Sequence, residues 1–174
     1  MSDILRKIIY NIYGWQFTSV LLCAALMLIA WTLINLFAPK RLCKALSFIM
    51  VATNIIAIVF FTVSNRSTNS ERSYRFAPFI HYFSSLSGRE TLWLNAFFFL
   101  PLGLSLPYLL PDKIQRKALA TILIAAAFST CIEAVQFIFK LGLCETDDVI
   151  MNTLGAAIGT LSYIATRRIN ARKE

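Results

Sequence analysis

Acids and amides stand in the most apolar stretches of this sequence, and they recur at helical spacing. In FSTCIEAVQFIFK, Ser129, Glu133 and Gln136 are four and three positions apart, which places them on one face of a helix. A carboxylate inside a bilayer costs about 2.5–3.5 kcal/mol on insertion scales, so Glu133 needs a partner or a task. In DDVIMNTLGAAIG, the residues Asp148, Asn152, Gly155 and Gly159 are spaced four, three and four apart and form a second stripe. Asp147 and Asp148 suit the positive N-terminal end of a helix, and Asn152 carries the polar track one turn deeper. In RETLWLNAFFFLPLG, Asn95 sits just inside an apolar run that contains Pro101, followed by Pro107. Prolines there loosen a helix and leave backbone carbonyls open to other donors.

Three chemistries fit such residues. Glu133 can be hydrogen-bonded glue between helices. It can be a general base, with Asp147 and Asp148 as metal or proton partners and Arg75 or Arg89 holding a phosphate. It can also carry a proton or ion across the membrane. Arg72, Arg75 and Arg89 precede the Asn95 segment and could pair the acids or receive an anionic group. Cys23, Cys43, Cys131 and Cys144 show no CxxC spacing, and His81 is the lone histidine, which excludes a Cys/His zinc site. No HExxH, nucleophile–base arrangement, phosphate loop or cofactor motif is present, so neither a metal nor a cofactor is expected.

The elements that position these groups follow from composition. Of 174 residues, 57% are hydrophobic and 15% charged, against about a quarter charged in an ordinary soluble domain. A soluble domain of this size cannot hide that much apolar surface. Five apolar segments, Trp15–Ala38, Ala45–Val63, Thr91–Leu110, Ala118–Phe139 and Val149–Thr166, are 18 to 24 residues long, enough for helices that cross the hydrocarbon core. The expected fold is an all-α integral membrane protein, a bundle of about five transmembrane helices. Residues 1–14 place Ile4, Leu5, Ile8, Ile9 and Ile12 at helical spacing opposite Asp3, Arg6 and Lys7, which predicts a short N-terminal interfacial helix ending at Gly14.

The chain thus divides into residues 1–63 (interfacial helix and two spans), 64–90 (a long loop), 91–166 (a three-helix core) and 167–174 (a basic tail). The loop dips back to the membrane through Phe76, Phe79, Tyr82 and Phe83. Net charge is +8, but the charges lie in short runs between apolar segments. They set topology and meet lipid headgroups; nucleic acid is not an expected partner. Lys40, Arg41 and Lys44, then Lys113, Arg116 and Lys117, then Arg167, Arg168, Arg172 and Lys173 make the denser basic segments, so the N-terminus is expected outside and the C-terminus in the cytoplasm. In that topology Asn95, Glu133, Gln136, Asp147, Asp148 and Asn152 share one depth near the outer face.

NAFFFLPLG, SxxxExxQ and DDVIMNTLGAAIG, in this order and at these distances, resemble the VanZ-like family of bacterial membrane proteins, whose namesake is associated with teicoplanin resistance. RSYRFAPF is similar to the family's loop segment ending in Pro-Phe before the Asn-containing helix. The resemblance covers about residues 72–164 and is specific as a set. Asn95, Pro101, Gly103, Glu133, Gln136, Asp148, Asn152 and Gly155 match the family pattern. Arg75 stands where many members have Asn, Glu145 where Asp is usual, and an Arg often found before the acidic pair is missing from LGLCETDD.

The resemblance implies a bacterial cell membrane and a link to glycopeptide response, without defining a reaction. The first expectation is a non-enzymatic envelope protein. Its outward polar pocket, beside the lipid-exposed Phe97, Phe98 and Phe99, binds a lipid-linked or glycopeptide-like molecule. The alternatives are an intramembrane carboxylate-dependent enzyme acting on a lipid-linked head group, and a proton- or ion-coupled transporter. Pro101, Gly103, Gly155 and Gly159 are expected to serve helix packing, and the Gly155–Gly159 GxxxG opens a route to a homo-oligomer.

Overall fold

A computed structural model describes residues 3–64, 73–75, 77, 79 and 86–172, of which 3–17, 64, 73 and 86–91 are placed by their backbone alone. Arg72, Phe76, His81, Tyr82, Phe83 and the side chain of Arg89 therefore lie outside the described residues. Five long helices form the fold. Each contains a stretch apolar enough to cross a membrane, and the protein is an all-α integral membrane bundle.

Helix α1 (Asp3–Phe37) is 35 residues long and unbroken. Where a short interfacial helix is expected over residues 1–14, the described part, residues 3–14, belongs to the unbroken α1 and is not a separate element. One glycine inside a helix costs only about 1 kcal/mol relative to alanine, which is too little for Gly14 to break it. The span able to cross the membrane begins at Thr18. Pro39, with φ −63° and ψ 142°, ends α1 and caps α2 (Lys40–Val59), since the residue before a proline is disfavoured in a helix. A π-helical turn follows at Phe60–Ser64.

Helix α3 (Leu86–Leu109) contains both Pro101 and Pro107. Neither proline has an N–H for the carbonyl four residues before it. Next to the two loosened turns, Asn54 of α2 donates to the Phe98 carbonyl at 3.0 Å, and Trp31 of α1 donates to the Leu104 carbonyl at 2.8 Å. Neighbouring helices thus supply donors where α3 is weakened. Helix α4 (Lys117–Phe139) ends at Lys140, whose left-handed backbone (φ 58°) turns the chain. Helix α5 (Thr146–Asn170) then runs into what the sequence suggests is a basic tail. Two three-residue strands, β1 (Ser73–Arg75) and β2 (Leu143–Glu145), pair in parallel with Tyr74 opposite Cys144 and Arg75 opposite Glu145. They are too short to leave a periodic signal in the sequence.

Helix α3 sits in the middle. Half of its span is buried in the bundle, against 6% of the α1 span. Its main partner is α5, and the contact is backbone against backbone. A Cβ added at Gly155 would fall on the carbonyl oxygen of Ala96, one at Gly159 on that of Leu100, and one at Gly103 on that of Ala156. Gly155 and Gly159, expected to serve helix packing, do so within this chain, against α3. Phe99, Leu102, Ala125, Ile132, Ala156 and Ile58 make the central core. Phe99 is buried, so it belongs to this core and not to a lipid-facing Phe surface. The outward faces carry Leu22, Phe37, Phe48, Ile56 and Phe139, all strongly exposed, as lipid contact requires.

Candidate functional site

The polar residues meet at the end of the bundle where α5 begins. Two helix pairs are bridged directly. Asn95 of α3 donates from Nδ2 to Asp148 Oδ1 at 2.6 Å, and Asn152 of α5 donates from Nδ2 to Ser129 Oγ of α4 at 2.8 Å. The stripe on α4 does not act as one unit. Ser129 reaches α5, while Glu133 Oε2 accepts the Glu145 N–H of β2 at 2.9 Å. Gln136 donates from Nε2 to the Thr62 carbonyl of the π-helical turn at 2.8 Å. All three are buried, and Gln136 Oε1 has no partner among the described residues.

Asp147 performs a task the sequence does not reveal. Both of its carboxylate oxygens accept the Phe79 N–H, at 3.0 and 3.1 Å. Phe79 has φ 62°, a left-handed conformation that costs an L-residue about 1–2 kcal/mol. The buried Asp147 holds this strained residue of the connecting loop against the start of α5. Next to it, Arg75 and Glu145 form an ion pair at 2.7 Å across the strand pair, with side chains 34% and 14% exposed. The two departures from the family pattern, Arg75 for Asn and Glu145 for Asp, thus meet one another. Arg75, a candidate phosphate holder, is engaged by this carboxylate.

The result is a knot in which Glu133 and Asp147 act on the backbone of β2 and of the connecting loop. Cys144, between these groups in β2, has its thiol pushed up from the usual range. Burial is the main cause, followed by the charge of Glu133, a hydrogen bond to it, and the charges of Asp148 and Glu145. Sequence reasoning missed Thr62, Phe79 and Cys144. Thr62 and Phe79 take part through main-chain atoms, which leave no trace in residue type. Among the described residues, no three His, Cys, Asp or Glu side chains are placed to hold a metal ion.

An apolar cleft of about 210 Å³ opens between α1, α3 and α5, with Leu28, Trp93, Phe97, Leu100 and Ile158 in its walls. Ala96 and Gly155 also line it, so it passes within one helical turn of Asn95 and Asn152. Pro101 and Gly103 lie further along α3, away from the knot, where Gly103 packs on Ala156.

No curated protein and no solved structure matches this chain. The family model described as VanZ/LLP1 matches residues 20–167, from α1 to near the end of α5. That range holds every described residue of the knot and the α3–α5 glycine contact, so the chain belongs to the VanZ/LLP1 family.

Proposed function

We propose that this VanZ-like membrane protein is a non-enzymatic component of the bacterial envelope, oriented with its carboxylate knot outside. In this reading it binds a lipid-linked or glycopeptide-like molecule at that end and so changes susceptibility to teicoplanin-type drugs. The supporting observation is the engagement of the carboxylates: the buried Glu133 holds β2, the buried Asp147 holds the Phe79 loop, and the half-buried Asp148 holds α3. Carboxylates used in this way fix the backbone at that end of the bundle, whereas a general base must be within reach of a substrate proton. The apolar cleft beside the knot suits the chain of a lipid-linked molecule whose polar group rests on the strand pair.

Equilibrium binding of teicoplanin to the purified full chain in lipid nanodiscs, followed by tryptophan fluorescence, tests this reading. Saturable binding is expected for the wild type and for Glu133→Gln, whose amide oxygen still accepts the Glu145 N–H. Glu133→Leu should lose it. Absence of binding by the wild type would overturn the reading. Loss in Glu133→Gln at unchanged abundance and stability would instead favour proton chemistry at Glu133, in an enzyme or a transporter.

A further inference from the structure

The far end of the bundle carries a second convergence of polar groups. Lys40 opens α2, Lys117 opens α4, and Arg167 lies in the last turn of α5. With Tyr108, Tyr163 and Thr166 they line one cavity of about 740 Å³, within the size range of small-molecule sites. Three cations from three helices converge on one space.

The local field is positive. Lys117 pairs with Asp112 at 2.7 Å, while the Asp112 side chain stands fully in solvent. Lys40 and Arg167 make no ion pair among the described residues. The Asp112 carboxyl is held below its usual range, first by the hydrogen bond and charge of Lys117 and then by the charges of Lys44 and Lys40. Helices α2 and α4 both begin here without a side-chain cap or an acid in the first turn, so their N-terminal amides add to the attraction for an anion. Tyr108 and Tyr163 pack edge to face with centroids 5.3 Å apart, and Tyr108 Oη donates to Thr166 Oγ1 at 3.4 Å.

Depth narrows the ligand. From Asp147 to Arg167 helix α5 advances about 30 Å, the thickness of a hydrocarbon core. With the knot at one interface, this cavity lies at the other, at the level of headgroups and of the tyrosine belt typical there.

We propose that the cavity lined by Lys40, Lys117 and Arg167 is a binding site for a phosphate-bearing anion, sized and placed for the headgroup of an anionic phospholipid. Lys40 and Arg167 grip the phosphate oxygens, Arg167 through its planar fork. Lys117 stays tied to Asp112 and adds charge at the rim.

The test uses the full chain in zwitterionic micelles, titrated with short-chain phosphatidylglycerol and, in parallel, with inorganic phosphate. The wild type should bind phosphatidylglycerol saturably and gain thermal stability. Lys40→Gln/Arg167→Gln should bind at least about tenfold more weakly, as expected when a charge-assisted hydrogen bond is lost. Lys113→Gln/Arg172→Gln removes the same charge outside the cavity and should bind as the wild type does. If the Lys40/Arg167 variant does not fold, Arg167→Lys keeps the charge without the fork and should still weaken binding several-fold. Equal weakening in both double variants would show diffuse charge and overturn the site. Binding of inorganic phosphate as tight as that of phosphatidylglycerol, and lost in Lys40→Gln/Arg167→Gln, would overturn the lipid assignment.

Discussion

The ion pair between Arg75 and Glu145 holds β1 against β2, and its strength can be worked from its geometry. The charged atoms are 2.7 Å apart, with Arg75 about one-third exposed and Glu145 largely covered. Fully exposed pairs contribute about 0.2–1 kcal/mol, and hydrogen bonds to charged groups about 1.5–3 kcal/mol. Solvent at the arginine places this pair between those ranges, at about 1–1.5 kcal/mol, or about 5–13-fold in an opening equilibrium. The Glu145 N–H is held by Glu133 of α4 at 2.9 Å, so its hydrogen exchange reports release of β2, whose Glu145 side chain the ion pair holds in place. Arg75→Gln and Glu145→Gln, each measured by exchange at Glu145 in lipid nanodiscs, should speed exchange by that factor. The double variant should exchange no faster than the single variants. Multiplicative single effects, or an exchange rate unmoved by either change, would refute the coupling.

Gly155→Ala puts a methyl group against the Ala96 backbone carbonyl. No flexible side chain can give way there, so α3 and α5 must separate at a cost of about 2–3 kcal/mol. Thermal unfolding in detergent should show this loss, while Leu161→Ala on an exposed face should stay within about 0.5 kcal/mol; equal effects would contradict the close contact. Burial and the Glu133 carboxylate raise the Cys144 thiol, and only the thiolate reacts. Cys144 modification should therefore be slower at pH 7 than that of an ordinary thiol and keep accelerating above pH 9, and Glu133→Gln should speed it at pH 7. A rate that levels off where an ordinary thiol does, indifferent to that substitution, would show that the carboxylate exerts no such effect.

The five spans were legible because length and hydrophobicity alone decide which helices can cross a bilayer, and the structure starts α4 only one residue before its expected Ala118. The stripe of Ser129, Glu133 and Gln136 was legible as one buried helix face. Its partners were not, because two of them are main-chain groups, the Glu145 N–H and the Thr62 carbonyl. The π-helical turn that presents Thr62 has no sequence signature comparable to helical periodicity. Gly155 and Gly159 announced a close helix contact, but GxxxG does not say whether the second helix belongs to the same chain. The answer, α3, depends on tertiary packing. Phe97, Phe98 and Phe99 read together as lipid-facing, yet 100° of rotation per residue turns Phe99 into the core. Arg75 and Glu145 lie 70 positions apart, and only the register of a three-residue strand pair brings them face to face.

Side-specific labelling of the two bundle ends tests the proposed outward orientation of the knot most directly. Native Cys43 is a poor reporter, since it is buried and its thiol lies near the Ile34 and Ala38 carbonyls, which shields it in either orientation. Two exposed positions serve better: Tyr74 in β1, beside the knot, and Lys113, in the loop between α3 and α4. Each is changed to cysteine, Tyr74→Cys and Lys113→Cys, in a chain whose native cysteines are replaced by alanine. A membrane-impermeant thiol reagent on intact cells should label Tyr74→Cys at once and Lys113→Cys only after permeabilisation. The reverse pattern would put the carboxylate knot in the cytoplasm and the Lys40–Arg167 cavity outside, and the envelope-facing function would fall with it.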